Sequence, residues 1–478
     1  MVRELCDSLF PNMNESSSEL IKQLLRNCHN RKKSSVASDC HDSLTHLIRQ
    51  PTCSRILRQP RRRLSELLHV ERHSNGGGYA LHSYVDELSH LSSDDLNKFA
   101  RKYFRILFTE KRKEGISVPF SRYCIGVIHG ASTSIPELLS YLSQVYPSLQ
   151  VTTNPLGRRN DTECICLSEY ASRVYQSYMN GIYRSGPLHA ISIVGVRGEE
   201  RGCFSKNIVE MLDSDPFLRL VTPWGIMSKL FGMSPQESND GPIIWARHGE
   251  QLVPVCRPST KGRKRGVAGS TLADLLSSRR TTLERQILVH DRTPCHADHV
   301  DDGLRRHTTA AIGVLKAIYP PKSNTCSPSS SSGVTGAPKV NPYSVGPYTP
   351  GRIVKDVVLF DPRHYPDLVR RLGLDIMEPP ASQCSSFWAD DAELNQLRTE
   401  GFRYVRLPLR DNDFYFIPRN VVHQFKTVSA VVSIAWHSRL KMYYVDEKDS
   451  AASSCNPMDP SSLPSARPVE FLTPGDAQ

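Results

Sequence analysis

Two short stretches far apart in the chain constrain its fold more than any other feature. Thr293-Pro294-Cys295-His296-Ala297-Asp298 carries an H-x-D pair, and Ile417-Pro418-Arg419-Asn420-Val421-Val422-His423-Gln424-Phe425 carries a further histidine. Two imidazoles and one carboxylate on one side of an ion leave three positions open, a set that favours non-heme Fe(II) and oxygen chemistry. On a strand, residues i and i+2 share a face, so His296 and Asp298 are expected to project together. His423 lies in a run rich in Val and Phe that reads as another strand, and Pro418 suits a strand end or hairpin entry. A distal strand returning beside the H-x-D strand would close the site. An isolated H-x-D is common, and most buried histidines are hydrogen-bonded core residues. The weight comes from the three residues in this order, each on a strand-like run.

The rest of the chain has room for such a core. Its 478 residues are enough for two or three domains. A hydrophobic content of 39% is low for a fully ordered protein, so tails or insertions are expected. The formal net charge of +11 points to acidic partners, nucleic acid or chromatin, unless the excess sits on solvated tails. Thirteen cysteines without a C-x-x-C pair fit neither a disulfide framework nor a zinc finger. They suit a reducing compartment, cytosol or nucleus. The first residues lack a signal peptide's apolar run, and no stretch approaches 18 uninterrupted apolar residues, so no membrane association is expected.

Residues 1–61 read as a disordered, Ser-rich tail with basic clusters at Arg31-Lys32-Lys33 and Arg61-Arg62-Arg63, suited to nuclear import or phosphate contact. Residues 62–214 read as a mixed α/β region. Ser92 offers an N-cap to a helix running to Phe108. Strands are expected at Tyr79–Val85, Tyr123–Ile128, Leu149–Thr152 and Ala190–Val196, and helices at Pro136–Tyr146, Glu163–Tyr178 and Phe204–Leu212. Residues 215–446 turn strand-rich. They contain an exposed basic loop at 257–285, the H-x-D strand at Ile287–Val300, and a disordered Ser/Pro/Gly insertion at 322–349. The run Thr308–Ile318 is ambiguous between strand and helix. Ile353–Phe360 reads as a strand, Tyr365–Leu372 and Ala392–Glu400 as helices, and residues 447–478 as a disordered tail.

With these residues in view, Thr293-Pro-x-His-x-Asp298 and the later His423 hairpin resemble the JmjC branch of the cupin-like oxygenases. Longer runs resemble the round spermatid basic protein 1 family. They include Tyr183–His189, Ser238–Pro242, Gly249–Pro254, His296–His299, Arg306–Gly313, Asp411–Asn420 and His423–Ser429. The resemblance covers roughly residues 64 to 444.

The resemblance implies an α+β chain whose catalytic core is a double-stranded β-helix, or jelly roll. It implies a nuclear dioxygenase that uses Fe(II) and 2-oxoglutarate to demethylate lysine in histone tails, with dimethylated lysine 20 of histone H4 as the family's substrate. His296, Asp298 and His423 would hold the iron. A lysine on a strand after H-x-D would anchor 2-oxoglutarate. Lys316 is the first choice, because Ile312, Val314 and Lys316 share a face, and Thr309 could add a hydroxyl. Lys355, Lys426 and Arg439 compete for that role. Tyr415, Trp436, Trp388 and Trp245 are candidates to face a methylated lysine, against the commoner role of an aromatic as core. The expected partners are a histone tail or nucleosome, with DNA contact possible through the basic segments. Two rival readings stand beside this one. The chain could be a non-catalytic chromatin-binding module, or an oxygenase that hydroxylates a non-histone protein or RNA.

Overall fold

The strand Ala310–Ala317 is buried along its whole length. A run buried on both faces, apolar but for Lys316, belongs in the middle of a sheet. The computed structural model describes residues 64–116, 118–158, 160–196, 201–254, 286–301, 306–320, 350–375 and 386–444. All but the first few belong to one compact unit, Leu67–Gln478. The tails, basic loop and Ser-rich insertion expected from the sequence lie outside the described residues.

Ala310–Ala317 sits inside a ten-stranded mixed sheet. Across the sheet the strands run His69–Arg72, Tyr79–Tyr84, Ile125–His129, Phe414–Ile417, Ala310–Ala317, Val431–Ser438, Ile243–Arg247, Leu188–Ser192, Gln150–Thr153 and Glu163–Cys166. Strands from both sides of residue 214 therefore share one sheet. A four-stranded antiparallel sheet has the order Arg292–His296, His423–Thr427, Ile353–Phe360, Tyr404–Arg410. From Ile243 onward the chain passes back and forth between these two sheets.

The two sheets share one apolar core. Ala311, Leu315, Ala317, Tyr415, Ile417 and Val431 from the large sheet meet Val357, Leu359, Val405, Leu407 and Phe425 from the small one. The other faces are covered by helices. Ser93–Phe108 is capped by Ser92, whose hydroxyl accepts from Asp95 N, a cap that stabilises by about 1 kcal/mol. Its apolar stripe lays Tyr103 and Phe104 against Phe416 on the outside of the large sheet. That close approach requires Gly126, where a Cβ would come within 2.6 Å of Leu107 and Tyr103. Tyr365–Leu372 and Asp391–Thr399 bury Leu368, Leu394 and Leu397 against the outside of the small sheet. The result is a mixed α+β fold. No helix among the described residues is long and apolar enough to cross a membrane.

Most elements fall where hydrophobic period and capping place them, and two differ. The expected helix Glu163–Tyr178 begins as the strand Glu163–Cys166, because Cys164-Ile165-Cys166 pairs with Gln150–Thr153 before the helix Leu167–Gln176 starts. Cross-strand pairing outweighs the helical spacing of the tyrosines there. The expected single strand Ile287–Val300 is three pieces, Gln286–Val289, Arg292–His296 and His299–Asp301. Asp298 stands just beyond the second piece rather than on it.

Gly313 reports how tightly the core is filled. A Cβ there would lie 2.0–2.3 Å from the Tyr415 ring and hydroxyl. Gly313→Ala is expected to destabilise the protein by about 1–3 kcal/mol in a denaturant titration, through overpacking. Combining it with Tyr415→Ala should cost less than the sum of the two changes, because the ring is what the new methyl meets.

Candidate metal centre

The site begins with a bulge. Thr293 lies opposite Phe425 and His296 opposite His423, three steps on one strand against two on the other. The extra residue shifts the strand's alternation, so Thr293 and His296 both take the face of Phe425 and His423. Cys295 is left on the other side, where its thiol faces Gln424 Oε1 at 3.2 Å. Gln424 also ties down Ala389 through its backbone N and O, at 2.9 and 2.7 Å. These contacts hold both histidine strands from behind. The imidazoles of His296 and His423 then stand with ring centroids 4.3 Å apart, inclined at 54°.

Both rings are oriented the same way. Nδ1 of His296 faces Pro294 O at 2.8 Å, and Nδ1 of His423 faces Val421 O at 2.9 Å. A carbonyl only accepts, so each Nδ1 carries the proton and each Nε2 keeps its lone pair. Asp298 completes the group from the loop beyond the strand. Its backbone O accepts from Thr309 N at 3.0 Å, which pins the loop to the central strand. Its Oδ2 lies 3.3 Å from His423 Nε2. One ligand atom from each of His296, Asp298 and His423 lies within 4.8 Å of the other two, the one such group found among the described residues.

The electrostatics of this pocket call for a cation. His423 is 1% exposed, and burial pulls its pKa down to about 4, helped by His296 and opposed by Asp298. It is therefore neutral at pH 7, with its lone pair facing a carboxylate. Burial raises Asp298, yet His423, His437 and His296 outweigh it and leave the pKa below the usual carboxylate value. Ligand atoms of His296, Asp298 and His423, one from each, thus converge in a buried space. A divalent ion with a taste for N and O donors satisfies all three.

The other residues expected at the site separate into two groups. Lys316 does not reach it. The core takes Ala311, Leu315 and Ala317 from its strand, so Lys316 is on the opposite face. There Nζ donates to Ser132 O at 3.0 Å and Asn412 Oδ1 at 2.5 Å. Burial lowers its pKa to about 8, against Asp411 and Glu137. Thr309 is adjacent to Asp298, but its hydroxyl donates to Ser438 O at 2.8 Å. Of the two residues expected to contact 2-oxoglutarate, Lys316 is thus tied down on the face away from the triad, and Thr309 lies beside Asp298 with its hydroxyl given to Ser438. Trp436 also turns away, donating to Val221 O at 2.9 Å. Trp388 stacks under Arg292, and Lys426 pairs with Glu250 at 3.0 Å.

Lys355 is on the inner side. It pairs with Thr427 while Leu359 pairs with His423, so Lys355 and His423 share a face four strand positions apart. It is 4% exposed, with Nζ 5.1 Å from the Phe425 ring and 5.4 Å from the Trp245 ring. Burial, then Arg247, lower its pKa to about 7, against Asp291. Among the described residues no hydrogen bond reaches its ammonium. Ser433, directly across from Trp245 and Leu315, is fully buried with an unpartnered hydroxyl. Sequence reasoning weighed Lys355 only as a competitor and missed Ser433. The signal available for Lys355 was its parity with Val357 and Leu359.

No family model matches the chain. The chemistry of the site rests on its own donors and burial.

The buried imidazole makes a pH prediction for the metal-free protein. Folded His423 stays neutral to about pH 4, whereas an unfolded histidine charges near 6.5. Between these values the unfolded state binds more protons, so stability falls as pH drops from 6.5 toward 4. His423→Leu should flatten this slope, removing on the order of 1–3 kcal/mol of pH dependence in urea titrations across that window.

Proposed function

We propose that the chain is an Fe(II)- and 2-oxoglutarate-dependent oxygenase built on a double-stranded β-helix. The observation that carries this reading is one interior that brings together the three converging donors His296, Asp298 and His423 and, four strand positions away on the same face, the buried Lys355.

The strand order supports the fold. Apart from two separate ribbons, Gln251–Pro254 with Gln286–Val289 and His299–Asp301 with Arg306–Thr308, the described strands from Ile243 onward fall by turns in the large and small sheets, with Ile353–Phe360 and Tyr404–Arg410 adjacent within the small one. Ile243–Arg247, Ala310–Ala317, Phe414–Ile417 and Val431–Ser438 of the ten-stranded sheet, with the four strands of the small sheet, would make the two layers of a jelly roll. A 2-His-1-carboxylate face with open positions is the donor set of non-heme Fe(II) oxygenases.

The residues divide the work. His296 and His423 offer neutral Nε2 atoms fixed by backbone carbonyls, and Asp298 brings the negative charge. Lys355 and the Ser433 hydroxyl are placed to hold a carboxylate inside the sandwich. Four residues of strand separate Lys355 from the His423 row, about 13 Å at 3.3 Å per residue. Lysine's four-carbon stem spans part of that distance and a five-carbon diacid the remainder. An unpaired charge buried there costs several kcal/mol, which a bound carboxylate would offset. Phe425, Tyr415 and Trp245 wall the interval and keep water out. Bound at the triad, Fe(II) with 2-oxoglutarate would supply O₂ activation and oxidation of an N-methyl carbon, which leaves as formaldehyde.

Methyl-lysine in a histone tail as substrate, and a nuclear location, rest on the sequence resemblance and the basic segments. The discriminating assay is release of succinate and formaldehyde with Fe(II), 2-oxoglutarate and methylated histone peptides. Both products are expected, and His296→Ala should abolish them. Succinate with a stably hydroxylated product would favour a different substrate. Absence of iron binding would favour a non-catalytic chromatin module.

The anchor is tested separately. Lys355→Ala should raise the KM for 2-oxoglutarate by at least about tenfold, the loss of one charge-assisted hydrogen bond. Lys316→Ala should leave that KM unchanged and lower only stability. The opposite pattern would return the anchor to Lys316.

A further inference from the structure

Asp298 has two oxygens, and the ligand group uses one. Oδ2 faces His423 Nε2 at 3.3 Å, on the side where the donors converge. Oδ1 faces His437 Nδ1 at 4.0 Å. That nitrogen is enclosed and makes no hydrogen bond. His437 is on Val431–Ser438, opposite Ala311, so it shares the inner face of the sandwich.

The backbone holds these two residues in register without help from their side chains. Thr309 N donates to Asp298 O at 3.0 Å, and Thr309 Oγ1 donates to Ser438 O at 2.8 Å. His437 N donates to Asp240 O at 2.9 Å. The Asp240 carboxylate is in turn held by Arg439, at 2.7 and 3.0 Å. The imidazole of His437 is thus delivered to Asp298 by a frame that does not depend on it. An enclosed nitrogen left without a partner is destabilising. A purely structural histidine at this place would be expected to bond to something.

We infer that His437 is a positioning residue for the metal carboxylate: its Nδ1, 4.0 Å from Asp298 Oδ1 and without another hydrogen-bond partner, closes on that oxygen when Oδ2 takes an ion. This rests on the metal-site reading above. A carboxylate that gives one oxygen to an ion leaves the other to be fixed, and such outer contacts govern ligand orientation and affinity. His437 is outside the group of three whose ligand atoms lie within 4.8 Å of one another, and its nitrogen addresses Oδ1 while His423 Nε2 addresses Oδ2.

The test uses the full chain and Co(II) alone, with wild type, His437→Leu and His437→Asn. Affinity is read by competition with a chelator, ligand geometry by the visible absorption of Co(II), and metal-free stability by denaturant titration. His437→Leu should weaken Co(II) binding about 10–100-fold and alter the visible band. His437→Asn, whose amide can donate to Oδ1, should recover most of both. The metal-free Leu variant should be no less stable than wild type, since it removes an unpartnered nitrogen. Wild-type affinity and spectrum in His437→Leu would overturn the role and leave the metal site standing. Affinity lost equally in Leu and Asn, or only in step with metal-free stability, would overturn it too. Failure of wild type to take up Co(II) would overturn the metal site itself, and this role with it.

Discussion

The site depends on one cross-strand pair, His296 opposite His423. Everything else follows from making that pair possible inside a dry sandwich. The bulge between Thr293 and His296 supplies the shift in alternation, Gln424 braces both strands from behind, and two carbonyls fix the rings in one tautomer. Each device is ordinary. Together they hold two imidazoles in a fixed relation to Asp298.

The cost of that arrangement explains its surroundings. Lone pairs and a carboxylate repel more strongly in a low-dielectric interior than in water. The same interior forces Lys355 toward neutrality by burial, as it does His423 at the other end of the sandwich. Two ligands of opposite charge, an ion and a diacid, would relieve both at once. On the proposed reading, the triad and Lys355 would act as two half-sites separated by Tyr415, Phe425 and Trp245.

Much of the framework was legible in the chain. Ser92 before an amphipathic run marked the helix Ser93–Phe108, and Val-Lys-Asp-Val-Val-Leu-Phe marked Ile353–Phe360. The run read as the helix Ala392–Glu400 is the helix Asp391–Thr399. The bulge was not legible, since an extra residue in a strand leaves no trace in a short pattern interrupted by Pro294. The H-x-D pair was read as two side chains on one strand, whereas Asp298 reaches the site from the loop after it.

The sequence alone determined the chemistry available: two histidines, one aspartate and several strand lysines, with the period-2 rows they belong to. Only the tertiary structure decided which face of each row became interior. Ile312, Val314 and Lys316 form one row and Ala311, Leu315 and Ala317 the other, and both are buried. Period alone cannot choose between two covered faces, because helices bury one side of the sheet as completely as the second sheet buries the other. The packing of Tyr415 over Gly313 made that choice, turning Lys316 outward to Ser132 and leaving Lys355, on the facing sheet, on the same inner face as His423.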